Sequence, residues 1–270
     1  MKLPIMYSSF QLARKYLHYY ITASNGKGHG MHSPFAFDFI LNVLNNKQNY
    51  IPPTEIEDLR RELLQKMECI TIEDLGAGSR LKSSNKKTIK SVAKNALKPK
   101  KFSYLLFRLV KHYQPNNTIE LGTSLGITTA YLSKANPSSQ IITIEGDPLT
   151  AAIAQQNFQK LDCANIQLIN GNFDTHLPSI ISQLPSINLA YIDGNHRLEP
   201  TLNYFEQLLG KKNNNSILIF DDIHWSKEME EAWDRIKAHP SVRCTIDIFF
   251  LGFVFFRDEF KEKRDFIIRF

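Results

Sequence analysis

The sequence of 270 residues predicts an α/β fold, with a mostly parallel sheet covered by helices on both faces. Three observations carry this. From Phe102 onward, short apolar runs alternate with amphipathic stretches of helical spacing, the pattern of successive βαβ units. The apolar runs are nearly uninterrupted, as strands buried on both faces require. The last two runs form a hairpin-like pair, which puts at least one antiparallel strand at the edge of the sheet.

Before that core, Phe10 to Ile21 and Pro34 to Leu44 carry apolar residues at helical spacing, and Ser33 is placed to cap the second helix ahead of Pro34. Pro52-Pro53 then punctuates, and Thr54 with Glu57 has capping-box spacing for a helix to about Lys66. A lysine-rich segment follows and Pro99 closes it. Further helices are expected over 102–113, 126–135, 148–161, 177–184, 199–209 and 227–238. Strands are expected over 118–121, 140–145, 166–169, 189–192, 216–220, 244–250 and 252–256, the last two turning around Leu251-Gly252. The chain thus divides into an N-terminal helical cap, 1–101, and a core, 102–270.

Composition excludes several classes. Apolar residues are 43% and charged residues 22%, which rules out wholesale disorder, and 12 Gly with 12 Pro rule out collagen-like architecture. The longest apolar run, Ile248 to Phe256, is interrupted by Gly252 and falls far short of the roughly 20 residues a membrane helix needs. The N-terminus has no apolar h-region, so no signal peptide is expected. Three widely spaced cysteines, Cys69, Cys163 and Cys244, point to a reducing cytoplasm rather than a disulfide framework. The expectation is a soluble cytoplasmic protein without a membrane partner.

The net charge of +6 comes from one place. Residues 80–101 hold nine Lys or Arg and no acid; without them 24 basic residues face 27 acidic ones. Such a segment is a solvated basic face, a cover over an anionic ligand, or a nucleic-acid contact. It contains no Phe, Tyr or Trp for base stacking, so nucleic acid is the weaker partner.

In parallel sheets ligands sit beyond the carboxyl ends of the strands. After the first core strand comes Glu120-Leu121-Gly122-Thr123-Ser124-Leu125-Gly126, whose glycines let backbone approach a ligand ahead of a helix N-terminus. After the second comes Glu145-Gly146-Asp147, with an acid suited to accept from both ribose hydroxyls. A dinucleotide loop would need a glycine where Ser124 stands, and Glu120 would repel a pyrophosphate. Beside the cationic amino-acid end of S-adenosylmethionine a carboxylate is in place.

ELGTSLG, TIEGDP, NGNFDTHLP, AYIDGNH and ILIFDDIHW, in this order, resemble class I S-adenosylmethionine-dependent methyltransferases over about residues 102–258, most of all the catechol-type and macrocin-type O-methyltransferases. The resemblance implies a Rossmann-like methyltransferase fold with a seven-stranded sheet. It implies that Gly122 and nearby backbone, with Thr123 and Gly126, hold the methionine moiety. Glu145 and Gly146 would hold the ribose, and Asn172, Phe173 and Asp174 would surround the adenine. Asn172 and Asp174 also suit a simple turn after a strand. Asp74 to Ser79 looks like a second glycine-rich loop, but lysines follow it where a strand and a ribose acid should stand, so it is read as a plain loop.

Asp193 ends one strand and Asp221-Asp222 ends the next. If these strands are neighbours, three carboxylates converge, and a hard divalent cation relieves their repulsion. The resemblance implies magnesium at these three places, with Asp193 also beside the cofactor. Asp222 fits the macrocin-type pattern better than the catechol type, which often has Asn there. A helix cap is the plainer role for either member of the pair. His196 stands where a catechol-type enzyme carries its catalytic lysine and is the candidate base; His224 is a second. His29 and His32 are too few for a metal site and are expected to shape the cap. The expected activity is metal-assisted O-methylation of a small-molecule hydroxyl, on an acceptor the lysines hint to be anionic. The alternatives are a metal-independent N- or O-methyltransferase, or a nucleic-acid-binding protein using residues 80–101. Oligomeric state is open.

Overall fold

Local chemistry starts and stops the elements much as the residues suggest. A computed structural model describes residues 6–46, 50–72 and 86–270. Helix α1, Ser9–Thr22, begins at a reciprocal capping box between Ser8 and Gln11. Helix α2, Pro34–Phe39, is capped by the Ser33 side chain and runs on as a π-helical turn through Leu44. Helix α3, Thr54–Leu63, lacks the expected Thr54–Glu57 box. The Glu57 carboxylate instead accepts from the Arg60 guanidinium and the Tyr131 hydroxyl, stronger partners than a cap N–H.

Two three-residue strands, β1, Cys69–Thr71, and β2, Lys86–Thr88, form an antiparallel pair in a stretch expected to be helical or irregular. Helix α4, Ile89–Ala96, occupies the second half of the basic segment, and α5, Lys100–Tyr113, follows. Residues 74–79, the second glycine-rich loop, and 80–85 lie outside the described residues. The core then alternates as expected: β3, Asn117–Leu121; α6, Ile127–Ala135; β4, Gln140–Glu145; α7, Pro148–Lys160; β5, Ile166–Asn170; α8, Phe173–Gln183; β6, Ile187–Ile192; α9, Leu198–Leu209; β7, Lys212–Asp221; α10, Lys227–Ala238; β8, Cys244–Asp247; and β9, Leu251–Phe255. Strands β3 to β9 are the seven expected; β10, Arg264–Ile267, is an eighth.

Two boundaries differ for identifiable reasons. Helix α8 starts four residues early because Asn172 turns the chain, its Oδ1 accepting from the Asp174 N–H at 2.7 Å. The final turn is not at Leu251-Gly252 but at Ile248 to Phe250, where Asp247 Oδ1 accepts from the Phe249 N–H at 2.7 Å and Phe249 takes a left-handed φ of 73°. Gly252 lies inside β9, where the Trp233 ring leaves no room for a Cβ.

The chain forms two compact units, Met1–Asn45 with Pro178–Phe270, and Asn46–Leu177; the division is not at residue 101/102. In the second unit β3, β4 and β5 run parallel, with β4 between the others. Ile119 and Leu121 of β3, Ile141 and Ile144 of β4 and Leu105, Leu106 and Leu109 of α5 are fully buried there. Arg60 ties α3 down by donating to the Lys98 carbonyl at 2.7 Å and the Ser103 hydroxyl at 3.0 Å.

In the first unit the strand order is β10-β8-β9-β7-β6. Strands β6 and β7 are parallel, β9 is antiparallel to both β7 and β8, and β10 is parallel to β8. The N-terminal helices pack on aromatic rings: Tyr16 and Tyr19 of α1 meet Phe249, and Phe35 and Phe39 of α2 meet Phe255. Each ring taken wholly from water contributes roughly 2–3 kcal/mol. Phe249, Phe253, Phe255 and Phe256 are core and Phe250 is half-buried, while His29 and His32 are exposed. No described helix is long and apolar enough to cross a membrane.

Candidate active site

In the 46–177 unit, the turn after β3 is built from three left-handed residues, Gly122 at φ 106°, Ser124 at φ 50° and Gly126 at φ 79°. Gly122 and Thr123 donate their N–H groups to the Ile144 carbonyl, at 3.0 and 3.2 Å, which pins the turn to the end of β4. Gly126 packs on the Phe158 ring with no space for a side chain, and Asn157 Nδ2 donates to the Leu125 carbonyl at 2.8 Å. The loop is thus fixed from both sides at the N-terminus of α6.

Glu145 ends β4 beside this loop. Its Oε2 accepts from the Ser124 N–H at 2.7 Å and its Oε1 from the Asp147 N–H at 3.0 Å. Burial raises the carboxyl's pKa above the usual range, against the pull of those backbone donors. Each oxygen has a second lone-pair direction, so two hydroxyls of a ribose are still within its capacity. Gly146 presents its carbonyl to Asn170 Nδ2 at 3.2 Å, and Asp147 caps α7 through the Thr150 N–H.

Glu120, expected beside the cofactor's cationic end, is instead fully buried. Its Oε2 accepts from the Thr129 hydroxyl at 2.5 Å and the Thr143 hydroxyl at 2.6 Å, so it joins β3, β4 and α6 from within. The Thr123 hydroxyl likewise faces Thr143 at 2.6 Å, leaving its backbone for the loop. Asn172 and Asp174 are exposed and Phe173 is half-buried at the start of α8. Gly171, just before them, is crossed by the His176 ring, a neighbour that no local motif singles out.

In the other unit, the β6–β7 register sets Ile192 opposite Phe220, so Asp193 and Asp221 leave adjacent parallel strands, as the three-carboxylate expectation required. The Tyr191 hydroxyl lies 3.0 Å from Asp193 Oδ2 and 3.3 Å from Asp221 Oδ2. Tyr191 was overlooked in the sequence, although its place two residues before Asp193 on a strand puts both side chains on one face. Asp222 takes a left-handed φ of 52°, and its N–H donates to the Phe250 carbonyl at 2.8 Å and to Asp221 Oδ1 at 2.9 Å. Among the described residues no group of three or more His, Cys, Asp or Glu is gathered to hold a metal ion.

His196 lies on a left-handed turn with Asn195, its Nε2 3.6 Å from Asp193 Oδ1, about one-fifth exposed. His224 is not a free base. Its Nδ1 meets Glu230 at 3.1 Å, its Nε2 meets Asp247 at 2.9 Å, and its ring stacks on Phe249. Burial opposes its charge, but the two carboxylates outweigh it and hold the imidazole at about 9. Glu230, despite its own burial, is held at about 2 by His224, Tyr7 and Lys15.

Residues 119–223 match a family model described as a methyltransferase domain. A catechol O-methyltransferase of Niastella koreensis is 29% identical over 126 residues, which are 46% of this chain and 55% of that protein. The chain therefore spans little more than half the length of that relative. A putative O-methyltransferase from Klebsiella pneumoniae has a TM-score of 0.51 at 17% identity, covering 60% of this chain and 81% of its own. An O-methyltransferase from Bacillus cereus in complex with SAH has a TM-score of 0.50 at 19% identity, covering 59% and 82%. These structures establish a Rossmann-like methyltransferase fold.

Proposed function

We propose, on the premise that residues 119–223 are a methyltransferase domain on a Rossmann-like fold, that the chain is an S-adenosylmethionine-dependent O-methyltransferase of a small-molecule hydroxyl. The observation that carries the reading is the rigid Gly122–Gly126 turn with its Ser124 N–H on Glu145. The backbone of Gly122, Thr123 and Gly126 would hold the methionine moiety. Glu145 with Gly146 would hold the ribose, and Asn172, Phe173 and Asp174 would border the adenine. Bound there, the cofactor supplies an electrophilic sulfonium methyl group. Glu120 serves by positioning, since its hydroxyl partners anchor the turn.

The acceptor side of the reading rests on Asp193 and His196. An imidazole nitrogen suits removal of a hydroxyl proton as the oxygen attacks a methyl carbon. Asp193 Oδ1 lies 3.6 Å from Nε2 of that ring and would help to orient it. Magnesium assistance is the finer part. Asp193 and Asp221 share one tyrosine hydroxyl, and Asp222 is engaged in its own turn, so the three do not make a ready cage. Free Cys69, Cys163 and Cys244 support a reducing compartment.

A thermal-shift titration with S-adenosylhomocysteine and with NAD, each in magnesium or EDTA, tests this. A ligand of the folded state raises the melting temperature by mass action. A shift with S-adenosylhomocysteine and none with NAD is expected, and no shift at saturating S-adenosylhomocysteine would overturn the reading. A further rise that EDTA abolishes would establish the metal.

A further inference from the structure

We propose that the outward face of α1 docks on the surface of an anionic lipid bilayer. The helix carries two apolar faces. One, with Leu12, Tyr16 and Tyr19, is spent on Phe249 and Phe250. The other holds Phe10, Leu17 and Ile21 at positions i, i+7 and i+11, which fall within about 40° of arc at about 100° per residue. These three are 79%, 59% and 66% exposed, and Tyr20 beside them is 50% exposed. A helix whose second face met only water would be polar there.

The chemistry around the stripe selects its partner. Residues 6–37 contain Arg14, Lys15 and Lys27 with three histidines and no Asp or Glu; Asp38 is the first acid of the chain. Arg14, at i+4, borders the stripe about 20° beyond Ile21 and is exposed. The Arg269 guanidinium lies 5.2 Å from the Tyr20 ring centroid and donates to the Ile21 carbonyl at 3.3 Å. At the end of the helix the Ser24 N–H donates to the Ile267 carbonyl at 2.8 Å, which brings in Ile267, itself 48% exposed. Glu230, the carboxylate that meets α1, is taken up by Lys15 and Tyr7, which leaves Arg14 and Arg269 to frame the apolar strip and match it to acyl chains beneath anionic headgroups. A second copy laid on the same face would set Arg14 and Arg269 against like charges.

The expectation of no membrane partner rested on the lack of a spanning run, and a helix lying in the interface needs none. At 14 residues α1 is too short to cross and long enough to lie flat.

The test is co-sedimentation of the full chain with vesicles of phosphatidylcholine alone or with about one-third phosphatidylglycerol, at low and high salt. Binding at least about tenfold stronger to the anionic vesicles, and weakened by salt, is expected. The double variant Leu17→Gln, Ile21→Gln should lose about tenfold or more, and Arg14→Gln about fivefold, with melting temperatures unchanged because all three side chains are exposed. Wild type that fails to pellet, pellets equally with neutral vesicles, or binds no better than the double variant would overturn the proposal. So would a dimer in sedimentation velocity that the double variant dissociates, since the face would then belong to a second copy.

Discussion

Glu145 has both carboxylate oxygens held by backbone N–H groups, whereas Asp193 and Asp221 share the hydroxyl of one tyrosine. A backbone donor inside a pinned turn has one direction. A hydroxyl on a rigid ring rotates and serves either acid. The 46–177 unit therefore presents a preorganised carboxylate, and the other unit presents a pair whose hydrogen bonding can be redistributed. Preorganisation would suit a group that reads a ribose, as proposed for Glu145, and redistribution would suit acids that adapt to a ligand or a proton.

The largest effect that would sharpen this contrast is on pH. His224 is held at about 9, above the usual imidazole value, so its contribution is whole below about 6.5 and lost as pH rises through about 9. Glu230, held at about 2, contributes fully above about 4.5 and loses that as pH falls toward 2. Stability of this unit should thus peak between about 4.5 and 6.5 and fall by on the order of 3 kcal/mol on the alkaline side. Urea melts across pH check it. His224→Gln should flatten the alkaline slope, and an unaltered slope would mean the carboxylate-bound imidazole does not control it.

Next in size is a pair of substitutions in the other unit. Glu145→Ala should cost about 100-fold in S-adenosylhomocysteine affinity, the loss of two charged hydrogen bonds to a ribose, a larger effect than the about 1–2 kcal/mol of stability given up when the Ser124 and Asp147 N–H groups lose their acceptor. Glu120→Gln should do the reverse, lowering stability by about 2 kcal/mol while the affinity of the folded protein changes little, because the buried hydroxyls of Thr129 and Thr143 lose their charged acceptor. Calorimetric titration beside thermal melts separates the two. Equal effects of both variants on affinity would erase the distinction between a contact and a positioning acid.

The smallest effect is expected at Tyr191. Replacing it by Phe removes the shared donor, worth about 1 kcal/mol of stability. If Asp193 and Asp221 take a cation, the same change should enlarge the magnesium-dependent thermal shift, because no hydroxyl competes for the carboxylates. A smaller shift would make Tyr191 a necessary organiser of them.

Much of this was legible in the residues. Seven core strands and the helices between them follow from apolar periodicity, and the acids at strand ends from the rule that ligands lie there. What escaped has specific causes. Strands β1 and β2 are three residues each and their partners are fifteen or more residues apart, too little pattern for a local signal. The final turn was misplaced because Gly252 reads as a turn residue, while its role is to make room for Trp233. His224 looked like a base because its two carboxylates, Glu230 and Asp247, are six and 23 residues away.

By itself, the sequence determined the alternation of strand and helix, the glycine-containing loop at Gly122 to Gly126, and the acids that follow β3, β4, β6 and β7, since periodicity and conformational preference are local properties. Only the tertiary structure decided what each acid does. Burial and hydrogen-bond partners depend on residues distant in the chain: they turned Glu120 inward to two threonines, left Glu145 beside a ligand-ready turn, joined Asp193 and Asp221 through Tyr191, and closed both nitrogens of His224.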